Sequence, residues 1–274
     1  MNSGILGLVE VTSKTNSTIV KISKLESKKY RNAEKLFICH GTKLFFEAVK
    51  FDASIEYIII KNSAVLDDEL LKNIKRQQEK GVSVLCVSDL VFGKLTDEQA
   101  PQGIITVCKY FEQKHTFSTS VNNVSFDEKI MIFESVRDPG NIGTIIRNAA
   151  AFGIDRLIFS SDCADIYSSK VIRAAMGAVF KVKIDIVNNI KETILNIKKC
   201  NKKVLGAALK KDSLILGKYK LSTQDAVIIG NEGHGLSNEV LDLCDNTLLI
   251  PMCENTESLN AAIASAIIMW EFSK

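Results

Sequence analysis

Ser258-Leu-Asn260, followed by Ala261-Ala-Ile-Ala-Ser-Ala-Ile-Ile-Met-Trp270, closes a pattern of three parts. It follows the strand-like Leu248-Leu-Ile-Pro-Met252. The first part is Arg137-Asp-Pro-Gly-Asn-Ile-Gly-Thr-Ile-Ile-Arg147, and the second is Ile229-Gly-Asn-Glu-Gly-His-Gly-Leu236. In each, an apolar strand meets a Gly- or Pro-bearing turn and then polar residues. An α/β sheet binds its ligands at the carboxyl ends of its strands, where such turns sit. Chemistry is therefore expected at these three turns.

The 274 residues are comfortable for two domains. A hydrophobic content of 46% and a charged content of 24% are ordinary for a soluble globular protein. The seven cysteines include no C-x-x-C pair and no histidine at metal spacing, so reduced thiols in a cytoplasmic protein and no metal are expected. The first residues lack the basic region of a secretory signal, and the longest apolar run, Ala261 to Trp270, is too short for a bilayer. No membrane association is expected. Net charge is only +3, but residues 1–50 carry nine basic side chains against four acidic ones. A basic segment on a near-neutral body fits a polyanion-binding module.

Strand and helix patterns alternate through the first 111 residues. Thr42 to Val49 is helical, Ile55 to Ile60 is β-rich, Asp67 to Lys80 is an amphipathic helix, and Val82 to Val87 is a strand. Residues 1–111 are thus read as a small α/β domain. The polar, aperiodic stretch 112–126 reads as a linker. Residues 127–274 form a second α/β run, with strands expected at 130–134, 156–160, 203–208, 226–230 and 247–251.

Pro139-Gly140 suits the centre of a type II turn, which leaves Asn141 at the expected N-cap of a helix whose buried face is Ile142, Ile145, Ile146 and Ala149. Arg147 falls off that face. Its side chain should lean toward the helix N-terminus, where anions are already favoured. The glycines around Glu232 allow close approach of backbone to a ligand. They do not match G-x-G-x-x-G, which argues against a Rossmann-type NAD(P) oxidoreductase. His234 is a lone histidine. Pro251 should end its strand, and Ser258 should cap the closing helix, whose packed face is read as Leu259, Ile263, Ala266, Ile267 and Trp270. Ala261, Ala262 and Ala264 would allow close approach of other backbone.

The three parts, in this order, resemble motifs 1, 2 and 3 of the SpoU/TrmH branch of the SPOUT methyltransferases. Ile22-Ser-Lys-Leu, Lys28-Lys-Tyr-Arg31, Phe37-Ile-Cys-His-Gly41 and Pro101-Gln-Gly103 resemble the substrate-binding domain often fused ahead of it. Two departures stand out: His40 where an acidic residue is more usual, and Glu254 where glycine is common. The resemblance implies a parallel sheet with a C-terminal trefoil knot, a homodimer formed through the C-terminal domain, and S-adenosylmethionine as cofactor. It implies methylation of a ribose 2′-hydroxyl in RNA, with ribosomal RNA favoured over transfer RNA. Gly230, Ile250, Met252 and Leu259 would then hold the cofactor, and Asn141, Arg147, Glu232, Ser258 and Asn260 would form the reactive end. A catalytically silent RNA-binding relative is the alternative, and the presence of all five reactive-end residues argues against it.

Overall fold

The computed structural model describes residues 2–112, 114–210, 212–253 and 258–274. In chain order its elements are α1 (Asn2–Ile5), β1 (Glu10–Val11), α2 (Ser17–Lys24), α3 (Lys28–Glu34), β2 (Leu36–His40), α4 (Thr42–Lys50), β3 (Ile55–Lys61), α5 (Asp68–Glu79), β4 (Ser83–Val87), α6 (Asp89–Phe92) and β5 (Ile104–Lys109). There follow β6 (His115–Ser118), β7 (Ile130–Phe133), α7 (Pro139–Phe152), β8 (Arg156–Ser160), α8 (Ser169–Ala175), β9 (Lys183–Val187), α9 (Ile190–Lys199), β10 (Lys203–Ala207), β11 (Leu214–Ile215), β12 (Asp225–Ile229), α10 (Asn238–Leu241), β13 (Asn246–Leu249) and α11 (Ala261–Ser273). No described helix is long and apolar enough to cross a membrane.

Two compact units emerge, and they depart from the sequence-based boundaries in one segment. Residues 167–180 group with residues 1–111, and the remainder forms the second unit. The reason is aromatic. Tyr167 stacks on Tyr110 with ring centroids 3.8 Å apart, and Phe180 meets Phe111 edge-on at 5.3 Å. Ser169 also donates to Glu26, and Arg173 pairs with Asp97 at 2.8 Å.

The first unit is a five-stranded sheet in the order β1-β4-β3-β5-β2, with β5 antiparallel to both neighbours. Side chains alternate between the faces of a strand. Ile59 therefore joins Ile19, Ile22, Ile38 and Val107 on one face, while Ile58 and Ile60 join Phe45, Leu70 and Ile74 on the other. Gly81, at φ +91°, follows α5 in the left-handed conformation that glycine accepts at a helix end.

The second unit is an eight-stranded sheet in the order β11-β13-β10-β12-β7-β8-β9-β6, with every pairing parallel. Its inner strands β7, β8 and β12 are buried at every position, as expected of a parallel sheet covered on both faces. The stretch 112–126, expected to be a linker, contributes edge strand β6 to this sheet. An edge strand needs one partner only and so tolerates polar residues, which is why no apolar alternation announced it.

α11 corrects another expectation. Ala261, Ala262, Ser265, Ile268, Met269 and Phe272 are its buried positions, whereas Ile263 and Trp270 are 54% and 52% exposed. The helix is apolar around its whole circumference, so periodicity could not choose the packed face. That face lies against α7.

His40 ends β2 in the first unit. It is 6% exposed, and neither ring nitrogen has a hydrogen-bond partner among the described residues. Burial, reinforced by the Arg173 cation and opposed by Asp97, pulls its pKa down to about 4. A histidine depressed in the folded state contributes stability above its unfolded pKa and loses it as pH falls. The loss here runs from about pH 6.5 down to about pH 4. The protein should thus lose about 2 kcal/mol between about pH 7.5 and about pH 5 from this group. Urea midpoints across that range should be flatter for His40→Leu, and an unchanged profile would remove His40 as the cause.

Candidate active site

The turn after β12 folds back on itself. Asn231 N–H donates to Gly235 O at 3.0 Å, and Gly235 N–H returns to Asn231 O at 2.9 Å. A β-carbon at Gly230 would overlap the backbone of Gly235 and Leu236. Glycine is required there by the turn itself, before any ligand is considered. Asn231 then fastens the turn on both sides. Its Oδ1 accepts from Gly233 N–H at 2.8 Å, and its Nδ2 donates to Ser135 O at 2.8 Å. The turn carries Glu232 toward the start of α7.

That helix begins three residues earlier than expected. Asp138 is the N-cap, its carboxylate accepting from Asn141 N–H at 2.9 Å, and Pro139 occupies the first helical turn. Proline fits that position because its missing N–H would be unpaired there anyway, so no type II turn forms. Asn141 is relieved of capping, and its side chain works elsewhere. Its Nδ2 donates to Glu232 Oε1 at 2.7 Å, and its Oδ1 accepts from Asn260 Nδ2 at 3.0 Å. Asn260, not Ser258, caps α11, with Oδ1 accepting from Ala262 and Ile263 N–H. One amide therefore starts the last helix and also orients Asn141. The chain Asn260 to Asn141 to Glu232 joins residues from all three sequence motifs.

Beside this relay lies a cavity of about 450 Å³. Gly230, Ile250, Met252 and Leu259 all line it, together with Glu232, Ser258 and His234. Asn141, Asn260 and Arg147 do not. Arg147 is exposed on α7, about 9 Å along the axis from Asn141 at 1.5 Å per residue. It makes no hydrogen bond or ion pair among the described residues. Glu254, the departure noted in the third motif, lies outside them.

Sequence reasoning missed part of this site. Ala207, Ala208 and Leu209 line the cavity from the end of β10. The rule that ligands sit at strand ends would have found them. Ser135 had no such signal. It adopts φ 58° without being glycine, and it is held there by Ser160 and Asp162. Its N–H donates to Ser160 Oγ at 2.8 Å, and its hydroxyl donates to Asp162 at 2.6 Å. Burial raises the Asp162 pKa, but donation from Ser135 and Ser160 outweighs it and holds the carboxyl below its usual range. Asp162 also faces Arg137 at 3.6 Å. Glu134 accepts from Ser237 N–H and Oγ, fixing the far end of the turn.

Residues 128–270 match the model of the SpoU rRNA Methylase family, and residues 16–106 match the MRM3-like substrate binding domain. The chain belongs to the SpoU rRNA methylase family. It is 29% identical over 261 residues to the Bacillus subtilis 23S rRNA (guanosine(2553)-2′-O)-methyltransferase RlmP, covering 95% of this chain and 98% of that one. It is 31% identical to the 23S rRNA (guanosine-2′-O-)-methyltransferase RlmB of Acinetobacter baylyi, covering 75% and 84%. Among solved structures, the AdoMet-bound rRNA methyltransferase from Sinorhizobium meliloti superposes with a TM-score of 0.83 at 27% identity, covering 96% of each chain. The parallel α/β sheet is thus the family's own.

The double duty of Asn260 can be separated. Asn260→Ser keeps an N-cap oxygen but loses the amide donor, so helix stability should hold within about 0.5 kcal/mol while Asn141 loses its orienting partner. Asn260→Ala should lose both, at about 1 kcal/mol. Thermal unfolding of the two variants, set beside methyl-transfer rates, checks this. Equal stability losses would show that the cap is not the side-chain oxygen.

Proposed function

We propose that the chain methylates a ribose 2′-hydroxyl of ribosomal RNA, with S-adenosylmethionine held between residues 229–236 and 250–259. The supporting observation is the cavity with the Asn260–Asn141–Glu232 relay beside it. Its volume suits a nucleoside-sized ligand. Its walls offer apolar side chains (Ala207, Ile229, Leu248, Leu259) for a flat apolar body and the main chain of a glycine turn for polar edges. When bound, S-adenosylmethionine supplies an electrophilic methyl on a sulfonium centre.

The chain's own residues must hold and activate the hydroxyl. Glu232 is fixed by Asn141 and is acceptor-only when ionised. Arg147 keeps its proton at ordinary pH, so it is no base. Its role in this reading is to clamp a neighbouring phosphate and stabilise the developing oxyanion. Ser258 lines the cavity and completes the polar side of the site. The first unit, with its excess of lysine, supplies RNA affinity. A cytoplasmic site of action belongs to the same reading and is in keeping with the free cysteines.

Two further features belong to this proposal. The trefoil knot is supported by the path of the C-terminal segment. β13 inserts between β10 and β11, after which α11 packs on α7. The homodimer is supported by the second apolar face of α11, where Ile263 and Trp270 are half exposed. Apolar surface of that kind at a helix otherwise packed marks an interface.

Three measurements test the proposal. Calorimetric titration with S-adenosylmethionine should show one site, weakened at least about tenfold by Leu259→Arg, which brings a buried cation to an apolar wall. Unchanged affinity would place the cofactor elsewhere. Arg147→Ala should lower turnover on ribosomal RNA by about 100- to 1,000-fold with cofactor affinity intact. Arg147→Lys should be nearly as damaging, since lysine lacks the planar fork. RNA binding without turnover in the unaltered protein would favour the silent relative. Finally, Trp270→Asp should give a monomer by light scattering, and an unaltered mass would exclude that face.

A further inference from the structure

Tyr30 is a feature of the basic region that charge does not explain. It lies on α3, 40% exposed, among Lys24, Lys28 and Lys29. Other tyrosines of the first unit are put to structural use: Tyr110 stacks on Tyr167, the Tyr110 hydroxyl donates to Asn32 Oδ1, and the Tyr167 hydroxyl accepts from Phe111 N–H. Among the described residues Tyr30 has no ring partner and no hydroxyl hydrogen bond. Instead the Lys24 ammonium sits 5.4 Å from its ring centroid. The ring forms one wall of a cavity of about 320 Å³, which Val20 lines with apolar surface and Thr15 and Ser17 with hydroxyls. Lys21 lies in the same cavity, paired with Glu34 at 2.9 Å, and that pairing raises the Lys21 pKa.

We infer that this cavity is a stacking site for one unpaired nucleobase of the RNA, with Tyr30 as the platform. This rests on the RNA-modifying reading above and adds to it the kind of RNA the first unit takes. An exposed aromatic face beside lysines is how single-stranded nucleic acid is gripped without reading its sequence. Each stacked base adds to affinity, and each lysine contact to phosphate adds salt dependence. Lys24, which covers the ring in the free protein, is long enough to swing to a backbone phosphate while the base takes its place over the ring. Lys28 and Lys29, exposed on the same short helix, extend the phosphate track. Glu34 would repel a phosphate, but a carboxylate accepts from the exocyclic amino group of a base, and Lys21 already balances its charge. A purely acidic protein partner would need the lysines and have no use for the ring.

The test is fluorescence anisotropy with the full chain, using a short single-stranded oligoadenylate and a paired RNA duplex of equal length at several salt concentrations. Tyr30→Ala should weaken oligoadenylate binding about 5- to 150-fold with an unchanged salt slope. Tyr30→Phe should bind as the unaltered protein does, and the duplex should be little affected. Lys24→Gln should lower the salt slope by about one. Circular dichroism and thermal midpoints of the Tyr30 variants should match the unaltered protein, since the ring is outside the core. Oligoadenylate binding unmoved by Tyr30→Ala overturns the inference, as does Tyr30→Phe behaving like Tyr30→Ala, or equal losses on duplex. A polyglutamate peptide binding as tightly, with the same dependence on Tyr30, overturns it in favour of an acidic protein partner. Methyl transfer to ribosomal RNA by the unaltered protein is measured alongside. Its absence would sink the functional reading, and its presence with Tyr30 inert would sink this inference alone.

Discussion

The site depends on the absence of a side chain. At Gly230 the chain doubles back so closely that a β-carbon would overlap the backbone of Gly235 and Leu236. This close return places Asn231 where its amide reaches Ser135 O, and Glu232 where it reaches Asn141. Neither contact is local in sequence: each spans more than ninety residues. Three adjacent or near-adjacent parallel strands bring them together, because β7 lies between β12 and β8 and all run the same way. Turns that follow parallel strands share one edge of the sheet. The hydrogen bonds between them then fix side-chain positions along that edge.

That geometry explains what could be read from the sequence. Strands β7, β8, β10, β12 and β13 each carry a short apolar run flanked by Gly, Pro or polar residues, and such runs were legible to within a residue or two. The three turns were legible too, because glycine and proline announce themselves. The caps were not. Asp138 and Asn141, or Ser258 and Asn260, are equally good cap types a few residues apart, and sequence alone gave no reason to choose between them. Structure chose the pair that frees Asn141 and gives Asn260 two tasks. Ser135 was illegible for a different reason. Its left-handed backbone is imposed by Ser160 and Asp162, partners 25 and 27 residues away. No local preference of serine predicts it.

The misread face of α11 carries a more general lesson. Amphipathicity reports which side of a helix is buried only if another side is polar. α11 has no polar side, so both its faces satisfy the same pattern. The buried positions combine small side chains (Ala261, Ala262, Ser265) with large ones (Ile268, Met269, Phe272), and the helix packs on α7. Ile263 and Trp270 stay about half exposed, although Trp270 meets Phe152 edge-on at 5.9 Å. Under the homodimer proposed above, a second copy would cover this surface.

The arginines show how pairing separates structure from function. Arg31 donates to Leu25 O and Glu26 O, Arg156 is held by Glu128 and Asp185, and Arg173 grips Asp97. Each of these closes a local account of charge, so its loss would be felt as stability. Arg147 has no such partner among the described residues. On an exposed helix surface water solvates it at little cost, and the fold neither needs it nor pays for it. An unpaired guanidinium one and a half turns from the Asn141 relay is therefore free to take a ligand's negative charge. Its fork geometry suits the two oxygens of a phosphate, which makes its replacement by lysine more informative than its removal.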